Sequence, residues 1–293
     1  MRRTVRPLCF SALAGLAACA TLAAGPPPTT RAEQAVEAAL DEAQAAFVKH
    51  DGKAIAQALA LARAEAGDDV ALADRAADVG AAWDLDSDDV HSAVHEMESR
   101  LVAARDALSA QGLHDKLIFL CEAARDPQCA VLEAVEMTAA AERAPPPLPV
   151  HTRLGNLWQR AHTLRALAAT LPEPLRGRAV RYAQEAREAF AALARQTQQS
   201  LPSIDILSEQ FAAADGDCAT PVLISKGLDP AALDPQDAYI TYAALETCGE
   251  RDLAGPYKQK ILANDRLRLF PAVYRYLARQ PWPPNLAVAT PGR

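Results

Sequence analysis

Several motifs that would indicate a particular chemistry are absent from this sequence. It contains no glycine-rich phosphate loop, no Gly-x-Ser-x-Gly nucleophile elbow and no His-Glu-x-x-His zinc motif. Aromatic residues make up only 5% of its 293 residues. Apolar and polar residues alternate nowhere long enough to predict a strand, and residues 222–225 (VLIS) are the only candidate. These absences leave no obvious catalytic constellation and exclude a β-rich fold.

The sequence has fewer basic than acidic residues: it contains 30 Lys and Arg and 37 Asp and Glu, so its formal net charge is −7. Nucleic acids and anionic lipid surfaces are bound through clustered positive charge. We therefore expect neither as a partner.

Alanine is abundant, and it favours helices that pack closely. Apolar residues recur at helical spacing almost everywhere, so we expect an all-α fold: an irregular antiparallel array or bundle of helices, with a solenoid as a possible form. No fixed repeat period is found. Two helices precede residue 69, and the others are predicted over 69–82, 90–108, 113–124, 127–143, 154–171, 175–199, 203–214, 218–226, 235–248, 250–263 and 266–279.

Prolines divide the predicted helical region into two parts. The segment 144–150 (APPPLPV) has four prolines in seven residues and is typical of a semi-rigid spacer. We therefore predict a helical subdomain over 31–143, a linker over 144–150 and a second helical subdomain over 151–280, in which 154–171 and 175–199 form an antiparallel hairpin. A proline-rich tail over 281–293 contains Trp282, which we expect to be disordered or to dock on a partner.

The N-terminus has the pattern of an export signal. Arg2, Arg3 and Arg6 precede an alanine-rich, uncharged run over 7–24 that is bracketed by prolines, which favours a processed signal over a permanent membrane span. Removal of 1–18 takes away three arginines and no acid, so the mature chain is more acidic than the −7 of the full chain.

The order Leu16-Ala17-Ala18-Cys19 resembles the lipobox of bacterial lipoproteins. The resemblance implies a signal peptide over 1–18, acylation of Cys19 by diacylglycerol and by a further fatty acid such as palmitate, and a tether over 19–30. Several acyl chains would hold the protein firmly at a membrane. Ala20 follows the cysteine, and by the same resemblance the expected location is the outer membrane of a Gram-negative bacterium, facing the periplasm. An ordinary secretory cleavage next to Cys19 is the alternative.

Four cysteines remain once Cys9 leaves with the signal and Cys19 carries lipid, and four cysteines allow three pairings. Cys121 and Cys129 fall at the same corner between two predicted helices. Cys218 opens a helix and Cys248 closes the next, so these also share an end. The positions favour bridges 121–129 and 218–248, with four free thiols as the alternative. A zinc site is disfavoured because no Cys-x-x-Cys pair is present.

The stretch 83–99 (WDLDSDDVHSAVHEMES) contains the best candidate metal ligands. His91 and His95 lie four residues apart on one helical face, with Asp88 and Glu98 three residues outside them. Both histidines also border an apolar stripe that includes Val90, so the alternative is a helix interface without metal. No cofactor is expected.

The same stretch begins with Asp84, Asp86 and Asp88 in the spacing of a calcium loop. It departs from that pattern because Asp89 replaces the turn glycine and His95 replaces the bidentate glutamate. Helix capping by these acids is the alternative.

Trp158 and His162 form a further pair at helical spacing, predicted to be a core tryptophan with a hydrogen-bonding neighbour.

Two classes of function fit these observations. The first is a lipid-anchored periplasmic module that binds another protein of the cell envelope, either as an adaptor or as an inhibitor such as an immunity protein; an acidic surface would suit a basic toxin. The second is a metal-dependent envelope hydrolase that uses His91 and His95. The first is favoured because no catalytic constellation is found in a chain of this length.

Overall fold

The computed structural model describes residues 30–104, 106–143, 148–168, 171–197 and 202–281. Within these ranges the chain is all-α, as the sequence predicts, with thirteen helices and no strand. In chain order they are α1 (Arg31–Val48), α2 (Gly52–Ala66), α3 (Val70–Asp86), α4 (Val90–Ala103), α5 (Ala107–Ala123), α6 (Pro127–Arg143), α7 (Val150–Ala168), α8 (Leu175–Thr197), α9 (Pro202–Ala214), α10 (Ala219–Ser225), α11 (Pro235–Thr247), α12 (Arg251–Leu262) and α13 (Leu269–Arg279).

Short polar side chains begin many of these helices. The hydroxyl of Thr30 accepts a hydrogen bond from the Glu33 amide. Aspartate carboxylates accept from amides of the first turn in the same way, which satisfies donors that have no partner inside the helix. These aspartates are Asp51, Asp69, Asp89 and Asp234.

The predicted helix over 90–108 is wrong. Helix α4 ends at Ala103, and Ala104 is extended with ψ 128°. The carboxylate of Asp106 accepts from the amide and the hydroxyl of Ser109 and so starts α5, which continues through Gly112 without a break. The apolar spacing continues across this junction, so it conceals the new helix start. Helix α3 is also longer than predicted, and the candidate strand 222–225 lies in α10.

Successive helices from α1 to α8 pack mainly on their neighbours in the chain, including the predicted pair α7 and α8. Helix α13 contacts α3 and α5 as well as α11 and α12, so contacts between distant helices close the array. One apolar cluster contains residues of helices from both predicted subdomains, including α1, α5, α7 and α13, so the two subdomains share a core.

Two disulfides fasten helix ends, and both predicted pairings are confirmed. Cys121 near the end of α5 bonds to Cys129 in α6, with Cα atoms 5.6 Å apart. Cys218 before α10 bonds to Cys248 after α11, with Cα atoms 5.5 Å apart.

None of the described helices is both long and apolar enough to cross a bilayer. The predicted signal peptide, Cys19, most of the tether, the prolines at 145–147 and Trp282 lie outside the described residues.

Candidate functional site

The predicted metal ligands lie on the outside of the array. His91 and His95 are exposed on α4, with the His95 side chain 82% exposed. Its Nδ1 lies 4.0 Å from Glu98 Oε2, and Asp88 is exposed in the turn before α4 with φ 61°. In the part of the chain that the structure describes, no three His, Cys, Asp or Glu residues are grouped closely enough to hold a metal ion.

The three aspartates of the calcium-like pattern have different environments. Burial, together with the charges of Asp89 and Glu96, raises the pKa of Asp84 to about 6. Asp86 ends α3 and pairs with arginines of α13, while Asp88 occupies a left-handed turn conformation. The pattern is therefore not a calcium loop. Of the predicted capping acids, Asp89 caps α4 and Asp86 does not.

Asp86 and Arg275 form a buried ion pair, with side chains 7% and 6% exposed. Arg275 donates to both carboxylate oxygens of Asp86. Its Nη1 also donates to the carbonyl oxygens of Asn264 at 2.9 Å and Arg266 at 3.0 Å. One guanidinium thus joins the end of α3 to the irregular segment between α12 and α13, residues 264–268, which we name the arginine loop.

A side chain of α1 holds the same loop from the other side. Gln44 donates through Nε2 to the Asp265 carbonyl at 2.8 Å and accepts through Oε1 from the Leu267 amide at 2.8 Å. Leu267 is buried, whereas Arg266 and Arg268 on either side of it are exposed. The arginine loop is therefore fixed through its backbone and directs two guanidinium groups outward.

The arginine loop forms one wall of a surface cleft of about 1010 Å³, which we name the α1–α13 cleft. Both acidic and basic side chains line the cleft. Glu37 pairs with Arg75, and Asp78 pairs with Lys116 of α5. The lining residues come from α1, α3, the start of α11, the end of α12, the α12–α13 connection and the start of α13. They include Glu37, Leu40, Asp41, Gln44, Arg75, Asp78, Val79, Pro235, Lys260, Arg266, Arg268 and Phe270.

Sequence reasoning missed this cleft. The available signal is a pair of arginines flanking a leucine, RLR at 266–268, just before an apolar helix. The helix predicted over 266–279 includes these residues in its first turn, whereas α13 begins at Leu269.

A second polar cluster lies inside the array, where α5, α7, α11 and α13 come together; we name it the inner acidic site. It consists of Asp115, Glu122, Trp158, His162, Tyr239 and Tyr274. The predicted pair is present: the Trp158 ring stacks on His162 with centroids 5.5 Å apart and planes 6° from parallel. Trp158 is in the core, as predicted, but its Nε1 has no hydrogen-bond partner among the described atoms.

Sequence reasoning did not find the acids of this site, although a signal is present. Asp115 and Glu122 are seven residues apart, on one face of a helix that otherwise reads as apolar (KLIFLCEA, 116–123).

Comparisons of the chain with models of protein families, with curated proteins and with solved structures find no match. The functional proposals below therefore depend on the residues and geometry of this chain.

Proposed function

We propose that this chain is a lipid-anchored helical protein of the cell envelope that binds another protein, as an adaptor or as an inhibitor such as an immunity protein, through the α1–α13 cleft. The anchor is the acylated Cys19 that the lipobox resemblance implies, and the outer membrane is the expected location. The observation that carries the proposal is the fixed arginine loop at the edge of the cleft.

The hydrogen bonds of the arginine loop support a binding role. Arg275 and Gln44 hold backbone that forms no helix, and a buried guanidinium is costly to desolvate. Loops fixed on a rigid scaffold are common sites of recognition. A surface that is already ordered loses less conformational entropy when a partner binds, which strengthens the complex.

The exposed charged side chains of the cleft indicate which charged groups the partner's surface should carry. Arg266 and Arg268 are exposed and form no ion pair with the described residues, and Asp41 is exposed on the facing helix. Complementary charges at an interface guide association and fix its orientation. We therefore expect carboxylates of the partner to face the two arginines, even though the chain as a whole is acidic.

The alternative function, a metal-dependent hydrolase, gains no support from the described geometry. His91 and His95 are exposed on α4, and the residues that the structure describes supply no third ligand grouped with them.

Site-specific photo-crosslinking tests the binding proposal in the full chain in cells. A benzoylphenylalanine at Arg266 is expected to give a discrete crosslinked protein, and the yield is expected to fall when Arg268→Glu is added. The matched control replaces Arg178, an exposed arginine of α8, which does not line the cleft. Identical crosslinks at both positions, or none at Arg266, would contradict the proposal.

The anchor is tested separately by Cys19→Ser. The variant is expected to leave the membrane fraction or to remain unprocessed, because its side chain cannot accept the lipid through a thioether. Normal cleavage combined with full retention at the membrane would refute lipid attachment, and it would leave the crosslinking result unaffected.

A further inference from the structure

The carboxylates of the inner acidic site accept no hydrogen bond from a lysine or arginine of the described residues. Asp115 has neither a hydrogen bond nor an ion pair with the described residues, and the adjacent Lys116 donates to both oxygens of Asp78 at 2.7 and 2.8 Å. Glu122 Oε1 is buried without a hydrogen bond, because His162 Nε2 lies 3.6 Å away. Neither acid is therefore hydrogen-bonded to a cationic side chain of the described residues, although the charge of Lys116 acts on Asp115.

The pKa values of the two acids are consistent with the absence of a hydrogen-bonded cation. Burial raises the pKa of Asp115 to about 6. Burial and the charge of Asp115 raise the pKa of Glu122 to about 8. Burial also lowers the pKa of His162 to about 4, so the imidazole is neutral at pH 7 and offers no charge to Glu122. The imidazole beside Glu122 is therefore uncharged.

Two stacked tyrosine rings lie near the acids. Tyr239 stacks on Tyr274 with centroids 5.1 Å apart, and the edge of Phe119 meets Tyr274 at 5.9 Å. The Tyr274 hydroxyl is buried without a hydrogen-bond partner and lies within range of the charges of Asp115 and Glu122. Buried polar groups without partners are uncommon in folded proteins, so this hydroxyl is available to accept a hydrogen bond from a ligand.

We propose that the inner acidic site binds a small protonated amine. An ammonium group donates hydrogen bonds to carboxylate oxygens such as Glu122 Oε1, and it supplies a positive charge beside Glu122, whose neighbouring imidazole is neutral. The faces of tyrosine and tryptophan rings attract the same cation. Solvent reaches the site, since the side chains of Glu122 and His162 are 19% and 36% exposed. This binding is additional to the proposed use of the α1–α13 cleft.

Amine binding is coupled to a proton. A bound cation favours the ionised form of Glu122, so binding releases the proton that Glu122 holds below its pKa of about 8. Affinity is therefore expected to rise from about pH 6 to about pH 8. The titratable groups that face Glu122 are Asp115 on α5, His162 on α7 and Tyr239 on α11, and Tyr274 faces it from α13.

Calorimetric titration of the purified full chain with n-butylamine tests the proposal, with 1-butanol as the uncharged probe of similar size. Saturable binding of the amine and none of the alcohol is expected at pH 8. Glu122→Gln keeps the shape of the side chain and removes its charge, so it is expected to weaken binding by about tenfold or more. Tyr274→Phe removes only a hydroxyl and is expected to weaken it less.

The matched control is Glu133→Gln, which alters a carboxylate that already pairs with His114 at 2.6 Å. This variant is expected to bind the amine like the unaltered protein. Three outcomes would overturn the proposal: equal binding of amine and alcohol, undiminished binding by Glu122→Gln, or no binding up to about 50 mM amine, which is weaker than a useful affinity.

Discussion

Replacement of Arg275 by methionine tests whether the buried ion pair organises the joint between α3 and the arginine loop. Methionine keeps much of the side-chain length and is compatible with a helix. The change leaves Asp86 buried with only Arg279 nearby, at 3.5 Å. It also removes the donors for the carbonyls of Asn264 and Arg266.

The expected loss of stability is large. Removal of one partner from a buried pair typically costs about 3–5 kcal/mol, because the other charge stays buried without compensation. In a chain of this size each kcal/mol lowers the melting temperature by roughly 2–4 °C. A decrease of about 6–20 °C is therefore expected for Arg275→Met.

Urea unfolding followed by circular dichroism, with both disulfides intact, measures the effect. Arg279→Met is the matched control: its guanidinium lies near the same carboxylate, but its side chain is 40% exposed. Water weakens such a pair, so a loss of about 1 kcal/mol or less is expected. Equal losses for the two variants would refute the buried ion pair as the stabilising contact. The double variant Asp86→Leu with Arg275→Met should be less destabilised than the Arg275 variant alone.

Three further predictions concern the disulfides, pH and metal. Cys218→Ser opens a bridge between residues 30 positions apart, whereas Cys121→Ser opens one between residues 8 positions apart. Because a longer closed loop restricts the unfolded chain more, Cys218→Ser should lower the free energy of unfolding by about 1 kcal/mol more, as measured by calorimetric melting. The reverse order would contradict this explanation. The pKa of Glu122 is raised from 4.5 to about 8, so the folded state holds a proton that the unfolded state releases, and stability falls as pH rises through this window. Glu122→Gln should therefore stabilise the protein more at pH 8 than at pH 5, and equal effects in urea unfolding would show that this pKa is not shifted. For metal, elemental analysis of protein purified in the presence of zinc should give the same zinc content for the unaltered protein and for His91→Ala. A stoichiometric zinc content that is lost in His91→Ala would restore the hydrolase alternative.

Local signals were sufficient to predict most of the helices. Asp234 before Pro235 marks the start of α11, and Gly67 follows the end of α2, because capping and backbone freedom act within a few residues. The junction at Ala104 was missed for a local reason as well. An apolar repeat that continues across a helix break hides it, and only the cap at Asp106 reveals it.

Contacts between distant residues could not be predicted in this way. Asp86 looked like a cap or a calcium ligand, and its partner Arg275 lies 189 residues later on the buried side of α13. The inner acidic site was recognised only through Trp158 and His162. The neighbouring acid Glu122 of α5 is placed beside His162 of α7 by the tertiary arrangement of the array, and helical periodicity does not specify that contact.

The position of α13 has a consequence for the kinetics of folding. This helix supplies partners to segments that precede it by about two hundred residues, including Leu85 and Asp86 at the end of α3. A chain made from its N-terminus exposes the corresponding apolar and charged surface until the last helix is released. Helical proteins usually fold rapidly because their contacts are local, and contacts of this sequence separation slow the search for the native state. The array should therefore complete its folding late, in a step that needs residues 269–279.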